Sequence, residues 1–236
     1  LVNARCLVKT LYCPHPPRYD YSLAPKGQSL RPVLLLLAQW NEDWIPHTEP
    51  STLRCKQCGQ RLHVLARCAG CHDALNPQQL KTLMFAGLPS KLPPMPEYRR
   101  TRHHVASKES AISPSGIRAE QWLQDRWSAL ILGGLMLGLQ RYADFLAVLG
   151  IAPNILAGRL DALQRAGLVM RTEEGRYALA DRGVGLYPAI MAMRDWGMSP
   201  LEPAAASEPG WNILHVPCGE WLKLEYVCAH CHQACF

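Results

Sequence analysis

Eight of the ten cysteines gather in two short clusters whose spacing suits a metal ion. In the first, Cys55-x2-Cys58 and Cys68-x2-Cys71 enclose nine residues, enough for a hairpin that closes two knuckles around one tetrahedral ion. In the second, His215, Cys218, Cys228 and Cys231 stand at the same spacings, with His215 in the place of Cys55. Exchanging one zinc ligand type for another at constant spacing favours metal over thiol chemistry. Each set supplies four protein ligands and no open coordination position, so two structural Zn2+ ions are expected. Cys235 is a rival ligand for the second set, and reduced, unligated thiols or a redox pair are the alternative. Pairs at this spacing also point to a reducing, cytoplasmic setting. No Ser/His/Asp set, carboxylate pair or phosphate loop stands out, so the chain does not read as an enzyme.

The elements that would position these clusters occur twice. Tyr21, Leu23, Gly27, Leu30, Pro32 and Trp40 recur at an offset of 156 as Tyr177, Leu179, Gly183, Leu186, Pro188 and Trp196. Farther on, Cys58, Gly59, Leu62, Cys68, Cys71 and His72 recur at an offset of 160 as Cys218, Gly219, Leu222, Cys228, Cys231 and His232. The chain is therefore two copies of one unit. Only the second copy has a stretch like Ile117 to Gly167 ahead of its matching region, so the first copy reads as missing its front half and the chain as a fragment. Cys6 falls where the second copy has Gly167 and reads as packing; Cys13 is a candidate reactive thiol.

Between the copies, prolines and the basic run Arg99, Arg100, Arg102, His103, His104 predict a partly extended linker. Lys and Arg total 25 against 19 Asp and Glu, a net charge of +6 that suits a polyanionic partner without demanding one. The longest apolar runs, Pro32 to Ala38 and Ala129 to Leu139, fall short of the ~20 residues of a membrane-spanning helix, and no membrane association is expected.

In the second copy, Leu123, Trp127, Leu130, Gly134 and Leu137 share one helical face and predict a helix over Ala119 to Leu137. A short helix with Tyr142, Phe145, Leu146 and Leu149 ends at Gly150. Pro153 to Ala166 predicts a third helix, stopped by Gly167. The last two form a helix-turn-helix. Leu168 to Arg171 and Arg176 to Leu179 flank the turn residues Glu173, Glu174 and Gly175, predicting a β hairpin or wing. Arg182 to Trp196 predicts a closing helix. It and its counterpart, Gly27 to Trp40, carry more apolar surface than one small unit covers, so they are expected to pack against each other or against a second chain.

The segments DRWSALILGGLMLG (Asp125 to Gly138) and RYADFLAVLGIAPNILAGRLDALQRAGLV (Arg141 to Val169), with the closing helix, resemble HxlR-type winged helix-turn-helix regulators. PPRYDYSLAPKGQSLRPVLLLLAQW (Pro16 to Trp40) resembles the wing and closing helix of the same family. The resemblance implies a bacterial or archaeal transcription factor that binds double-stranded DNA as a dimer, here a homodimer or an intramolecular pseudo-dimer. It places the helix from Pro153 in the major groove and the wing on backbone or minor groove. Candidate contacts are Asn154, Arg159 and Arg165 on the helix, Arg171 and Arg176 in the second wing, and Lys9 and Arg18 in the first. Against the family pattern, Ala152 stands where a Ser caps the helix, Ala157 and Gly158 replace polar positions, and Glu173 and Glu174 put negative charge on the wing tip. Ser113, Pro114 and Ser115 occupy the neighbourhood where many relatives carry a sensor cysteine.

The expected fold is mainly α with small β wings: tandem winged helix-turn-helix units, each followed by a zinc-ribbon-like Cys-rich hairpin. The expected boundaries are 1–50 for the wing and closing helix of the first unit and 51–76 for its zinc-binding hairpin. The linker follows at 77–116, the second unit at 117–198 and the second hairpin at 211–236. The expected function is a DNA-binding transcriptional regulator. The alternative is a degenerate winged-helix module for protein interaction or dimerisation.

Overall fold

The computed structural model describes residues 1–46, 48–84, 118–198 and 211–235. It opens on an antiparallel hairpin, β1 (Leu7–Pro14) and β2 (Pro17–Leu23). The short helix α1 (Pro25–Gln28) and the long α2 (Arg31–Trp44) follow. The first cysteine-rich segment contributes β3 (Val64–Cys68), and a one-turn 3-10 helix, Pro77–Gln79, leads into β4 (Leu80–Met84). The second half runs α3 (Ala119–Gln124), α4 (Arg126–Met136), α5 (Tyr142–Leu149) and α6 (Pro153–Arg165). Its wing is β5 (Val169–Arg171) with β6 (Tyr177–Leu179), and its closing segment is α7 (Asp181–Gly185) with α8 (Tyr187–Met198). The last strands are β7 (Trp211–His215), β8 (Glu220–Trp221) and β9 (Leu224–Cys228).

Helices α5 and α6 form where the apolar spacing places them. Gly150 closes α5 in the left-handed region at φ 60°, which a residue without Cβ adopts at no steric cost. Leu156, Leu160 and Leu163 are fully buried along α6, and its outer face, with Asn154, Ala157, Gly158, Asp161 and Arg165, stays exposed.

Three expected helices are broken instead. The span from Ala119 to Leu137 divides at Asp125, whose Oδ2 accepts from the Ser128 amide at 2.9 Å and its hydroxyl at 2.6 Å. That carboxylate caps α4 as a new helix. The closing segment divides at Leu186 because Pro188 lacks an N–H and would clash with the carbonyl four residues back. Pro32 separates α1 from α2 in the same way.

The two halves are related by an approximate two-fold axis that the side chains respect. Helix α2 packs on α8. Trp40 Nε1 donates to the Arg182 carbonyl at 2.9 Å, and its counterpart Trp196 donates to the Lys26 carbonyl at 2.9 Å. The Arg182 guanidinium lies 4.8 Å from the Trp40 ring and the Lys26 ammonium 5.1 Å from that of Trp196. Of the two expected partners for the closing helices, the structure shows each other. Leu34, by contrast, is 57% exposed and faces away from this contact.

Strands β3 and β9 form an antiparallel ladder that pairs Ala66 with Tyr226 at its middle. These two positions are equivalent in the repeat, so the axis runs through the ladder. Beyond it the symmetry ends: β4 pairs with β7, from Leu80 opposite His215 to Met84 opposite Trp211. Residues 80–84 were expected to belong to a linker. Their apolar residue Leu80 packs with Ile213, Tyr187 and Met191, which recruits the segment to the sheet. The basic run Arg99 to His104 and the Ser113 to Ser115 segment lie outside the described residues.

The repeat also aligns differently around the first wing. Cys6 donates its amide to the Leu1 carbonyl as Leu168 does to that of Leu163, and each accepts from the start of its closing segment, at Ala24 or Ala180. Cys6 is thus the counterpart of Leu168, and Arg5, at φ 54°, stands for Gly167 at φ 70°. The longer first hairpin shifts the offset there. Cys6 is buried, as expected of a packing residue.

Candidate metal centres and nucleic-acid interface

Each ligand pair sits on a tight knuckle of the same build. The carbonyls of Cys55, Cys68, His215 and Cys228 accept from the amides four residues on, Gly59, His72, Gly219 and His232, at 2.9, 2.9, 2.9 and 2.8 Å. All four donors have positive φ, between 56° and 74°. Glycine suits that conformation; histidine adopts it at a cost, a sign that the surrounding turn dictates the backbone. The knuckle turns both ligand side chains of a pair toward one point. At the first, the amides of Cys58 and Gln57 donate to the Cys55 sulfur and lower its pKa to about 7, whereas burial and the sulfurs of Cys55 and Cys58 push its neighbour Cys231 up to about 11.

The structure brings the eight expected ligands into two groups, but in a different partnership. One group is Cys55, Cys58, Cys228 and Cys231; the other is Cys68, Cys71, His215 and Cys218. Each takes one knuckle from each half, whereas the spacing suggested that each hairpin would be self-contained. The reason is the β3–β9 ladder, which carries Cys68 at one end, opposite Leu224, and Cys228 at the other, opposite Val64. An antiparallel pair sends the second knuckle of each tail toward the first knuckle of the other. Identical spacings in the two tails cannot distinguish these pairings.

The separations suit a tetrahedral ion. Cys55 and Cys231 Sγ lie 3.7 Å apart, Cys58 and Cys228 3.9 Å, and Cys68 and Cys218 3.9 Å. The edge of a tetrahedron with Zn–S bonds of ~2.3 Å is about 3.8 Å, while a disulfide needs about 2.05 Å. In the second group His215 offers Nδ1, at 3.3 Å from Cys71 Sγ and 3.2 Å from Cys218 Sγ. All ligand atoms of a group lie within 4.8 Å of one another. Cys235, the rival ligand, belongs to neither group. Burial, and then the charges of Cys228, Cys55 and Cys231, push its thiol up to about 11. Cys13 lies on the first hairpin with its Sγ 3.6 Å from the His15 carbonyl.

On the helix-turn-helix side, the structure engages most of the expected cations locally. Arg159 Nε is 2.9 Å from Asp125 Oδ2, the carboxylate that caps α4. Arg165 pairs with Asp161 at 2.8 Å, both side chains 63% exposed, a pair of small energetic worth that DNA could displace. Arg171 donates to the Gly175 carbonyl at 3.3 Å and covers the Tyr177 ring at 5.4 Å. Arg176 reaches Gln140 Oε1 at 3.4 Å. In the first hairpin Lys9 sits 3.6 Å from the centre of the Tyr19 ring. Arg18 and Asn154 are exposed, the first opposite Cys13 near the hairpin turn, the second in the first turn of α6.

Sequence reasoning missed Asp125 and Asn41. Asp125 is legible in hindsight as a capping residue three positions before Ser128. Replacing it by Ala should cost ~1 kcal/mol through loss of the cap, seen as a lower urea midpoint with unchanged slope; an unchanged midpoint would deny it that role. Asn41 is buried on α2. Its Oδ1 accepts from the Ala119 amide at 2.8 Å and its Nδ2 donates to Glu120 at 2.9 Å, tying the first closing helix to the start of α3. Nothing in the local pattern signals a contact across such a distance in sequence.

A helix-turn-helix followed by a two-stranded wing, with closing helices paired about a two-fold axis, defines a winged helix-turn-helix protein. The model of the HxlR-like helix-turn-helix family matches residues 1–49 and 122–205, and the chain belongs to that family. It is 31% identical over 122 residues to Rv3095 of Mycobacterium tuberculosis, an uncharacterized HTH-type transcriptional regulator. That match covers 49% of this chain and 76% of the relative. Mb3122 of Mycobacterium bovis is similar to the same extent, and YvaP of Bacillus subtilis is 29% identical over 103 residues, 41% of this chain and 95% of YvaP. Both are also described as uncharacterized HTH-type transcriptional regulators. No helix among the described residues is long and apolar enough to cross a membrane.

Proposed function

We propose that the chain is a cytoplasmic, non-enzymatic regulator that binds promoter DNA through its winged helix-turn-helix units, with its two halves acting as a pseudo-dimer within one chain. The observation that carries this reading is the solvent-facing side of α6, set beside the β5–β6 wing in a fold of the HxlR-like family. In this reading α6 enters the major groove and the wings contact backbone. The two four-ligand groups hold structural Zn2+ as zinc-ribbon-like elements. Zinc would lock the knuckles with no position left for catalysis.

One set of observations favours a second reading, a winged-helix module that joins protein partners. Arg159 and Arg165 are both paired with carboxylates, Ala157 and Gly158 offer no reading group, and Glu173 and Glu174 lie at the wing tip. Titrations of the chain against promoter and scrambled duplexes at several salt concentrations separate the two. On the DNA-binding reading, affinity falls steeply with salt, and Arg18→Ala flattens that slope by about one phosphate contact. Because Arg159 is held by Asp125, Arg159→Ala should weaken all sequences about equally; a group that reads a base would instead cost ~1 to 3 kcal/mol at one position. Binding that ignores salt, or no binding to any duplex, favours the protein-interaction module.

A further inference from the structure

We propose that the two metal ions are staples between the repeats, so that metal loading and the pairing of the two halves are one equilibrium. The inference rests on the reading of the two ligand groups as metal sites and goes beyond it in saying what the metal controls. Neither tail holds a complete site in this fold: each ion takes two ligands from residues 55–71 and two from residues 215–231. Coordination energy therefore acts on the contact between the halves. In a self-contained hairpin the same energy would stabilise one tail and leave their association unchanged.

The stapled contact is wired to the helices beneath it. The Arg67 side chain meets Glu225 across the ladder at 2.6 Å, and His72 meets the same carboxylate. At its ends the Ala69 amide donates to the Lys223 carbonyl, and the equivalent Ala229 amide to that of His63, both at 2.8 Å. Gln39 of α2 accepts from the Val64 amide at 2.9 Å and donates to its carbonyl at 3.3 Å. Val64 itself is buried in the core that contains Val33, Leu36, Leu37 and Trp40. Binding at one end of the ladder sets its register, and register is what brings the other four ligands together. The two ions should thus bind cooperatively, and metal supply should govern how firmly the two winged halves are held to one another.

Two double variants of the full chain decide the sharing, with zinc measured after challenge by a competing chelator. Cys58→Ser with Cys231→Ser removes two ligands from one shared site, so one tightly held ion should remain. The cobalt-substituted protein should then show three thiolates on the metal. Cys58→Ser with Cys71→Ser removes one ligand from each site and should leave none tightly held. The reverse pattern would mean self-contained tails and overturn the proposal while leaving the metal reading intact. A wild-type chain that retains no zinc overturns the metal reading itself. For the coupling, stripping zinc from the wild type should speed amide exchange at least tenfold in both β3 and β9, and zinc should restore protection in both together. Ladder exchange that is indifferent to zinc overturns the coupling.

Discussion

Gly183→Ala should be among the most damaging single substitutions in the second half. A Cβ at this position would lie 2.1 Å from the Leu168 carbonyl oxygen and 3.1 Å from the Leu179 side chain. The obstruction is backbone, not a side chain able to swing away. Leu168 O is fixed by the Ala180 amide at 3.0 Å, and Leu168 is itself fully buried. To admit a methyl group, α7 must lift from the start of the wing, disturbing both the hairpin and Arg182, whose guanidinium donates to the Ala166 carbonyl at 3.0 Å. Overpacking against fixed backbone costs ~3 kcal/mol or more, or roughly 10 °C in Tm for a chain of this size. The contrast is Gly158→Ala on the exposed face of α6, where a Cβ meets nothing within 4 Å and helix propensity should stabilise by up to ~1 kcal/mol. Differential scanning calorimetry of the two variants compares them directly. Equal melting temperatures would mean that the close approach of α7 to the wing is not a constraint. A Cβ at Gly27 would lie at the same 2.1 Å from the Cys6 carbonyl oxygen, so Gly27→Ala should act likewise on the first half.

Trp40→Ala should loosen the join between the halves more than Trp196→Ala does. The two tryptophans are equivalent in the repeat and make the same reciprocal hydrogen bond, but Trp40 is 2% exposed and Trp196 only half-buried. Around Trp40, Gly185 allows close approach: a Cβ there would meet Trp44 Nε1 at 2.7 Å and Trp40 Cδ1 at 3.3 Å. Truncating a buried Trp costs ~3 to 5 kcal/mol. The hydrogen bond to the Arg182 carbonyl is lost as well, worth ~0.5 to 1.5 kcal/mol. Since α2 and α8 belong to different halves, the loss should appear as lower cooperativity of unfolding as well as a lower midpoint. Chemical denaturation followed by far-ultraviolet circular dichroism and by tryptophan fluorescence tests this. Coincident transitions with a midpoint no lower than that of Trp196→Ala would show that the contact does not hold the halves together.

What was legible in the sequence was whatever depends on near neighbours. Helices α5 and α6 follow from apolar residues three and four apart with Gly150 and Gly167 as stops, and the wing follows from turn residues between short apolar runs. The repeat showed that two equivalent closing helices existed, and their excess apolar surface required a partner. Local signals were also present where the reading erred. Pro32 and Pro188 each divide a closing segment, and Asp125 three residues before Ser128 divides the first long helix, because a missing donor and a competing acceptor outweigh an unbroken apolar stripe.

By itself the sequence determined which residues could serve as ligands, their spacing and the duplication, since a knuckle is closed by hydrogen bonds within a few residues. It could not determine which knuckles meet. With two tails of equal spacing, self-contained and exchanged pairings satisfy every local requirement equally, and only the β3–β9 ladder, joined across the two-fold axis, decides for exchange. The same holds for Arg159. The family resemblance singled it out on α6 as a candidate contact, but its pairing with Asp125 depends on how α6 packs across the start of α4. Likewise, whether Leu80 belongs to a linker or a sheet is decided by the open edge of β7 and the apolar cluster around Ile213, surfaces that exist only once the second half has folded.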